Sequence, residues 1–355
     1  MKVNLPKLLE EILEKEASDL HITVGSNIYI RVNTVLQPII EYDMISETDI
    51  EGVLSQVMDD QQREIFEVNK ELDFSVSLGQ KARFRVNAFY QKGYPSLSLR
   101  TIPLVIPTLE ELNLPDPIMH LCNLSQGLVL VVGPTGQGKS TTIAAMIDRI
   151  NDQRSVHILT IEDPIEYMFF NKKSMIEQRE MYLDTHSWDS ALKSVLRQDP
   201  NVVLVGEMRD IETMSAALQI AETGHLVFAT LHTNSATQTI DRIISAFPEA
   251  KRSEIRLQLA QVIEVVIAQR LLPSEKLGMV PAVELLLGTD AVRNTIREGK
   301  AHMLRNILNT SSNVGMFSLE RSLANLVVSK LITEVDAFNC SPYPEDLKRL
   351  LKGVK

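Results

Sequence analysis

The stretch Val131-Val-Gly-Pro-Thr-Gly-Gln-Gly-Lys-Ser-Thr-Thr142 constrains the fold of this chain more than any other. Residues 133–140 fit G-x-x-x-x-G-K-[ST], with the apolar run Leu128-Val-Leu-Val-Val132 before them and the helix-forming run Ile143-Ala-Ala-Met146 after them. Strand, glycine-rich turn and helix start, in that order, make an anion cradle. The glycines let successive backbone N–H groups face a phosphate, and the helix N-terminus adds its positive end. The expected nucleotide-binding residues are therefore Gly133, Pro134, Thr135, Gly136, Gln137, Gly138, Lys139, Ser140 and Thr141. Lys139 would supply a point charge to the β- and γ-phosphates and Ser140 an oxygen to Mg²⁺, so ATP and Mg²⁺ are the expected cofactors. Gln137 stands at a variable position of the pattern.

Further apolar runs follow the cradle at Ile158-Leu-Thr-Ile161, Val202-Val-Leu-Val205 and Leu226-Val-Phe-Ala-Thr-Leu231, separated by helical patterns. Such alternation predicts an α/β domain with a parallel sheet covered on both faces. Upstream the texture differs. Leu8, Leu9, Ile12 and Leu13 fall at helical spacing, residues 18–24, 28–32 and 83–89 alternate as half-buried strands, and a helical pattern runs from about 47 to 67. We expect a compact α+β domain over 1–102, a linker over 103–117 where Pro103, Pro107, Pro115 and Pro117 cluster, the parallel-sheet domain over 118–290, and a helical C-terminal segment over 291–355. One long helical pattern is expected from about 251 to 272, with the chain beyond it mostly helical.

Hydrolysis of a bound nucleotide needs a positioned water and groups that meet the developing charge. Three stretches supply candidates. Glu162 and Asp163 close the run Ile158-Leu-Thr-Ile-Glu-Asp-Pro-Ile-Glu166, and strand carboxyl ends line the ligand crevice of a parallel sheet. In Val202-Val-Leu-Val-Gly-Glu-Met-Arg-Asp210, Gly206 stands where many phosphate-loop proteins carry a metal-binding aspartate, so the acid is Glu207, suited to polarising water. His225 and His232 bracket the last run; His225 reads equally well as a satisfied polar residue, whereas His232 leaves the strand at the crevice, where it can sense the γ-phosphate.

These four stations, with Ser18-Asp-Leu-His21, Ala82-Arg-Phe-Arg-Val-Asn-Ala-Phe89, Leu99-Arg-Thr-Ile-Pro103 and Asp241-Arg-Ile-Ile244, resemble the secretion-type ATPases of type IV pili and type II secretion over nearly the whole chain. The resemblance implies a RecA-like P-loop ATPase domain preceded by a smaller PAS-like domain, assembled as a homohexamer. It implies Glu207 as general base, Glu162 as an acidic-box carboxylate near metal and water, with Ser140, Glu162 and Asp163 around the Mg²⁺, and His232 as the histidine-box residue beside catalytic Lys139. Arg83, Arg85 and Arg100 match basic positions that approach the phosphates.

Within that family, extension ATPases carry an additional N-terminal region and usually a four-cysteine zinc insertion. This chain starts at the PAS-like segment and has two cysteines, Cys122 and Cys340, so a retraction motor is expected. Ala291-Val-Arg-Asn-Thr-Ile-Arg-Glu298 is similar to the retraction-type A-I-R-N-L-I-R-E, departing at Val292 and Thr295; an accessory paralogue of the principal motor is the alternative. The implied partners are an inner-membrane pilus platform protein and a paralogous retraction ATPase, with cytoplasmic placement at the pilus base and no direct membrane insertion. A net charge of -10 and the lack of a basic, aromatic stretch argue against a RecA-like nucleic-acid motor.

Overall fold

A computed structural model describes residues 3–32, 35–79, 81–102 and 105–353; Pro103, the first residue of the expected linker, lies outside them. The chain divides into two compact units, 1–105 with 166–168, and 106–165 with 169–355.

The first unit opens on α1 (Leu5–Glu14), capped by Asn4, whose side chain accepts from the Lys7 N–H; the helix buries Leu5, Leu8, Leu9 and Ile12 on one face. An antiparallel sheet follows, formed by β1 (Asp19–Thr23), β2 (Ile28–Val32), β3 (Val35–Ile39), β4 (Glu71–Leu78), β5 (Ala82–Gln91) and β6 (Tyr94–Ile102), in the spatial order β3-β2-β1-β6-β5-β4. The helical pattern at 47–67 is two helices, α2 (Glu47–Val57) and α3 (Asp60–Asn69). Asp59 forms a reciprocal capping box with Gln62, and that local alternative stops the first helix and starts the second.

The second unit holds α4 (Asp116–Leu121), β7 (Gly127–Val132), α5 (Lys139–Gln153), β8 (His157–Glu162), β9 (Met175–Glu180), α6 (Trp188–Val195), β10 (Val202–Val205), α7 (Ile211–Glu222), β11 (Leu226–Leu231), α8 (Ala236–Ala246), α9 (Arg252–Val262), β12 (Ile263–Ser274) and β13 (Gly278–Leu287). Among the described residues five α-helices follow: α10 (Asp290–Arg297), α11 (Leu304–Thr310), α12 (Leu319–Val328), α13 (Glu334–Cys340) and α14 (Pro344–Gly353). The sheet order is β13-β12-β7-β11-β10-β8-β9, parallel except for β13. Every residue of β7, β10 and β11 is buried, as their unbroken apolar runs require when helices cover both faces. Each such Val, Leu or Ile contributes about 1.5–3 kcal/mol relative to exposure.

The expected helix from 251 to 272 is corrected by the structure. α9 ends at Val262, and Ile263-Glu-Val-Val-Ile267 turns into β12, paired parallel to β7 and antiparallel to β13. β-branched side chains lose rotamer freedom in a helix and fit a pleated surface, and here the free edge of β7 takes up their backbone hydrogen bonds. The chain beyond 272 is likewise not helical until Asp290, because β13 intervenes. In α10 Val292 is fully buried, and the Thr295 hydroxyl donates to Ala291 O within its own helix, so the departure from the retraction-type sequence there leaves no unsatisfied group. Both cysteines are free; burial pushes the Cys122 thiol up to about 11 and raises that of Cys340, which keeps both protonated and unreactive at neutral pH. No helix of the described residues is long and apolar enough to cross a membrane.

Candidate functional site

The carboxyl ends of β7, β11, β10 and β8 lie side by side in the sheet, and each delivers one station of the site. After β7 the chain turns at Gly133 (φ 150°), Gly136 and Gly138, and α5 begins at Lys139. The Lys139 ammonium is buried and folds back over the turn, donating to Gly133 O at 2.8 Å and Pro134 O at 2.9 Å. It is thus at the centre of the loop, where a phosphate's charge would meet it. Ser140 follows in the first helical turn.

From β11 comes His232 and from β10 Glu207, and the two side chains meet: His232 Nε2 lies 3.0 Å from Glu207 Oε1. The other ring nitrogen, Nδ1, is 3.3 Å from the Thr135 hydroxyl on the phosphate loop. With the ring proton on Nε2, His232 donates to the carboxylate and accepts from Thr135, so one neutral tautomer satisfies both contacts. Arg209 continues the chain of contacts. Its Nε donates to Glu207 Oε2 at 2.7 Å, and its Nη1 is 3.8 Å from Asp163 Oδ2 at the end of β8. That hydrogen bond to the Glu207 carboxylate raises the Arg209 pKa further. Thr135, His232, Glu207, Arg209 and Asp163 therefore form one polar line across four adjacent strand ends, with Glu207 held between two donors.

Gly206 lies close against the end of β8. A Cβ there would lie 3.2 Å from Ile161 O and 3.3 Å from the Glu162 Cα, a tight fit, and the acid of this stretch stands one residue later, at Glu207. Glu162 itself is buried, and its Oε1 accepts from the Thr160 hydroxyl at 2.7 Å and from Gln178 Nε2 on β9 at 3.3 Å. His225 sits at the opposite end of β11 from His232, where its Nδ1 is 2.9 Å from the Thr223 hydroxyl and 3.1 Å from Ile220 O at the end of α7; it is a satisfied polar residue.

In the first unit, Arg83 and Arg85 alternate with buried Phe84 and Val86 on β5, and Arg85 is the register partner of Arg100 on β6. Arg100 Nε donates to Asp19 Oδ1 at 2.8 Å; desolvation works to raise the Asp19 pKa, and the hydrogen bonds from Arg100 and Ser18 outweigh it and hold it below the ordinary value.

Sequence reasoning missed Arg209 and Gln269. Arg209 was legible only as part of an acidic-basic run, and Gln269 was hidden inside the stretch read as helix. Gln269, on β12, is buried and contacts both the phosphate loop and α5.

A family model described as "Type II/IV secretion system protein" matches residues 2–320. The chain is 42% identical over 344 residues to the type IV pilus retractation ATPase PilT of Pseudomonas aeruginosa, covering 97% of this chain and all of that protein. It is 41% identical over 347 residues to the type IV pilus ATPase PilU of the same organism, covering 98% of this chain and 91% of that one. Among solved structures, the crystal structure of the pilus retraction motor PilT and bound ADP superimposes with a TM-score of 0.91 at 43% identity, covering 98% of this chain and 100% of that chain.

Proposed function

The chain belongs to the Type II/IV secretion system protein family, and on that premise we propose that it is an ATP-hydrolysing motor that drives type IV pilus retraction. The observation that carries the catalytic part is the line from Thr135 through His232 to Glu207. It ties the carboxylate best placed to polarise water to the loop that receives the phosphates. Both Glu207 oxygens are engaged, one by His232 and one by Arg209. A γ-phosphate arriving beside Thr135 competes for that hydroxyl, loosens His232, and frees one Glu207 oxygen to accept a proton from the attacking water. Lys139 exchanges two loop carbonyls for the phosphate oxygens and so neutralises charge as it builds on them.

The residues suit Mg²⁺ as well. That ion takes one or two hard oxygen ligands from protein and the rest from phosphate and water, and no group of three acidic, histidine or cysteine side chains among the described residues forms a cage. In this reading Ser140 at the start of α5 and Asp163 at the end of β8, with Glu162 in support, would hold the ion. When bound, Mg²⁺ neutralises and orients the β- and γ-phosphates.

Arg83, Arg85 and Arg100 complete the set of phosphate-binding cations in this proposal. Arg85 stands opposite Arg100 across the β5–β6 pair and Asp19 already balances Arg100, so the phosphate role of these arginines rests on the family resemblance. The homohexamer, the membrane platform protein as the driven partner, and placement at the cytoplasmic side of the pilus base belong to the same reading, on the family resemblance. Service as an accessory motor beside a principal one is the second reading, favoured by near-equal identity to PilT and PilU. Deleting the gene and counting surface pili tests the function. Excess pili that do not shorten are expected; bald cells would point to extension instead, and complementation of a strain lacking every retraction ATPase separates the principal role from the accessory one.

A further inference from the structure

The phosphate loop and the loop carrying His232 are each held by a side chain from the same strand. Gln269, 3% exposed on β12, accepts from the Thr142 hydroxyl at 2.8 Å through Oε1 and donates to Gln137 O at 2.7 Å through Nε2. Only one orientation of the amide meets the Gln137 carbonyl, which has no proton to give, so the assignment of oxygen and nitrogen follows from the network. The Gln137 side chain closes the grip in return: its Oε1 accepts from the Leu271 N–H at 2.7 Å. Position 137, variable in the phosphate-loop pattern, is thus the point at which this particular loop is fastened to its neighbouring strand.

Arg270 is the next residue. Successive side chains of a strand leave opposite faces of the sheet, and Arg270 Nη2 accordingly reaches the other face and donates to Asn234 Oδ1 at 2.9 Å, two residues after His232. The adjacent strand adds a second hold on the same connection. Glu284 on β13, paired in register with Ala268, accepts from the Ala236 N–H at the start of α8 at 2.7 Å. β12 is itself locked between β7 and β13, with Ala268 opposite Val132 and Gln269 opposite Val283.

We infer that Gln269 and Arg270 are positioning residues of the nucleotide site, Gln269 setting the phosphate loop and Arg270 setting the His232 loop, so that β12 fixes the approach of Thr135 to His232. The inference rests on the reading of this site as an ATPase and adds the device that preorganises it. Neither residue touches the reacting atoms. Their effects divide between binding and turnover according to which loop each one holds.

The experiment measures nucleotide affinity by equilibrium titration with ADP and with a non-hydrolysable ATP analogue, turnover by phosphate release, and thermal melting on the same purified full chain. Loss of one or two buried hydrogen bonds from a preorganised loop makes Gln269→Ala bind nucleotide about tenfold more weakly, with kcat within about twofold of wild type. Thr142→Val, which keeps shape and deletes the hydroxyl, gives the same weakening, Thr142→Ser restores wild-type affinity, and the Gln269→Ala/Thr142→Val double variant is no weaker than the worse single one, as members of one linkage are. Arg270→Ala leaves affinity unchanged and lowers kcat about threefold, because the bond it removes is exposed. Folded variants with wild-type affinity and turnover overturn the inference, and so does a fall in melting temperature alone, which is the mark of a purely structural role. A wild-type chain that binds nucleotide without turning it over overturns the ATPase reading instead, and the Gln269 affinity ratio is still measured.

Discussion

Glu207→Gln is expected to lower ATP turnover by about 10²- to 10⁴-fold, the usual worth of a positioned general base, while nucleotide affinity stays within about twofold. The amide has the carboxylate's shape and cannot accept the water's proton. Its oxygen still accepts from Arg209 Nε, while its NH2 meets His232 Nε2 only with the ring proton moved to Nδ1. Phosphate release under saturating ATP, paired with ADP titration, checks both halves. Turnover near that of wild type would remove Glu207 from the role and leave the line from Thr135 to Asp163 as a structural tie. Loss of binding together with turnover would mean that the loop, and not the base, had been damaged.

The fold of the nucleotide-binding unit was legible in the sequence where burial on both faces left an unbroken apolar run. Leu128 to Val132, Ile158 to Ile161, Val202 to Val205 and Leu226 to Leu231 all lie in parallel strands. The same physics hid β12. Ile263 to Leu272 is also mostly apolar, broken only by Glu264, Gln269 and Arg270, and it follows a helix directly; periodicity cannot tell such a buried strand from the end of a buried helix. What decides it is the free edge of β7, a partner more than 120 residues earlier in the chain. β9, Met175–Glu180, escaped for the converse reason: it carries Glu177, Gln178, Arg179 and Glu180, and as an edge strand it buries little, so its sequence has almost no apolar signal.

For the site, residue types were legible and their pairings were not. Glu207 and His232 each stood out by leaving a buried strand at its carboxyl end, but nothing in the sequence placed His232 on the Glu207 carboxylate, or made Arg209 the link to Asp163. Gly206 illustrates the gap. Its presence could be read as the absence of an aspartate; only the structure shows how closely Ile161 O and the Glu162 Cα approach it.

Gly133→Ala is expected to weaken nucleotide binding by about two orders of magnitude, and here the cause lies in the neighbouring strand. A Cβ on Gly133 would lie 2.5 Å from Gln269 O, a backbone atom of β12. β12 cannot yield, because Gln269 is opposite Val283 on one side and Ala268 opposite Val132 on the other. The φ of 150° adds strain for any residue with a side chain. Together these cost on the order of 3 kcal/mol, enough to weaken binding about 150-fold if the loop absorbs all of it, or to lower the melting temperature if the sheet does. Gly136→Ala is the control: its φ is 76° but nothing lies within 4 Å of the added Cβ, so it costs about 1–2 kcal/mol of backbone strain and leaves β12 in place. Equilibrium titration with ADP and thermal melting on both variants separate the two. Equal losses would mean that loop strain alone matters at both glycines. A much larger loss at Gly133 would mean that the phosphate loop takes its shape from the strand beside it, the same strand through which Gln269 and Arg270 act.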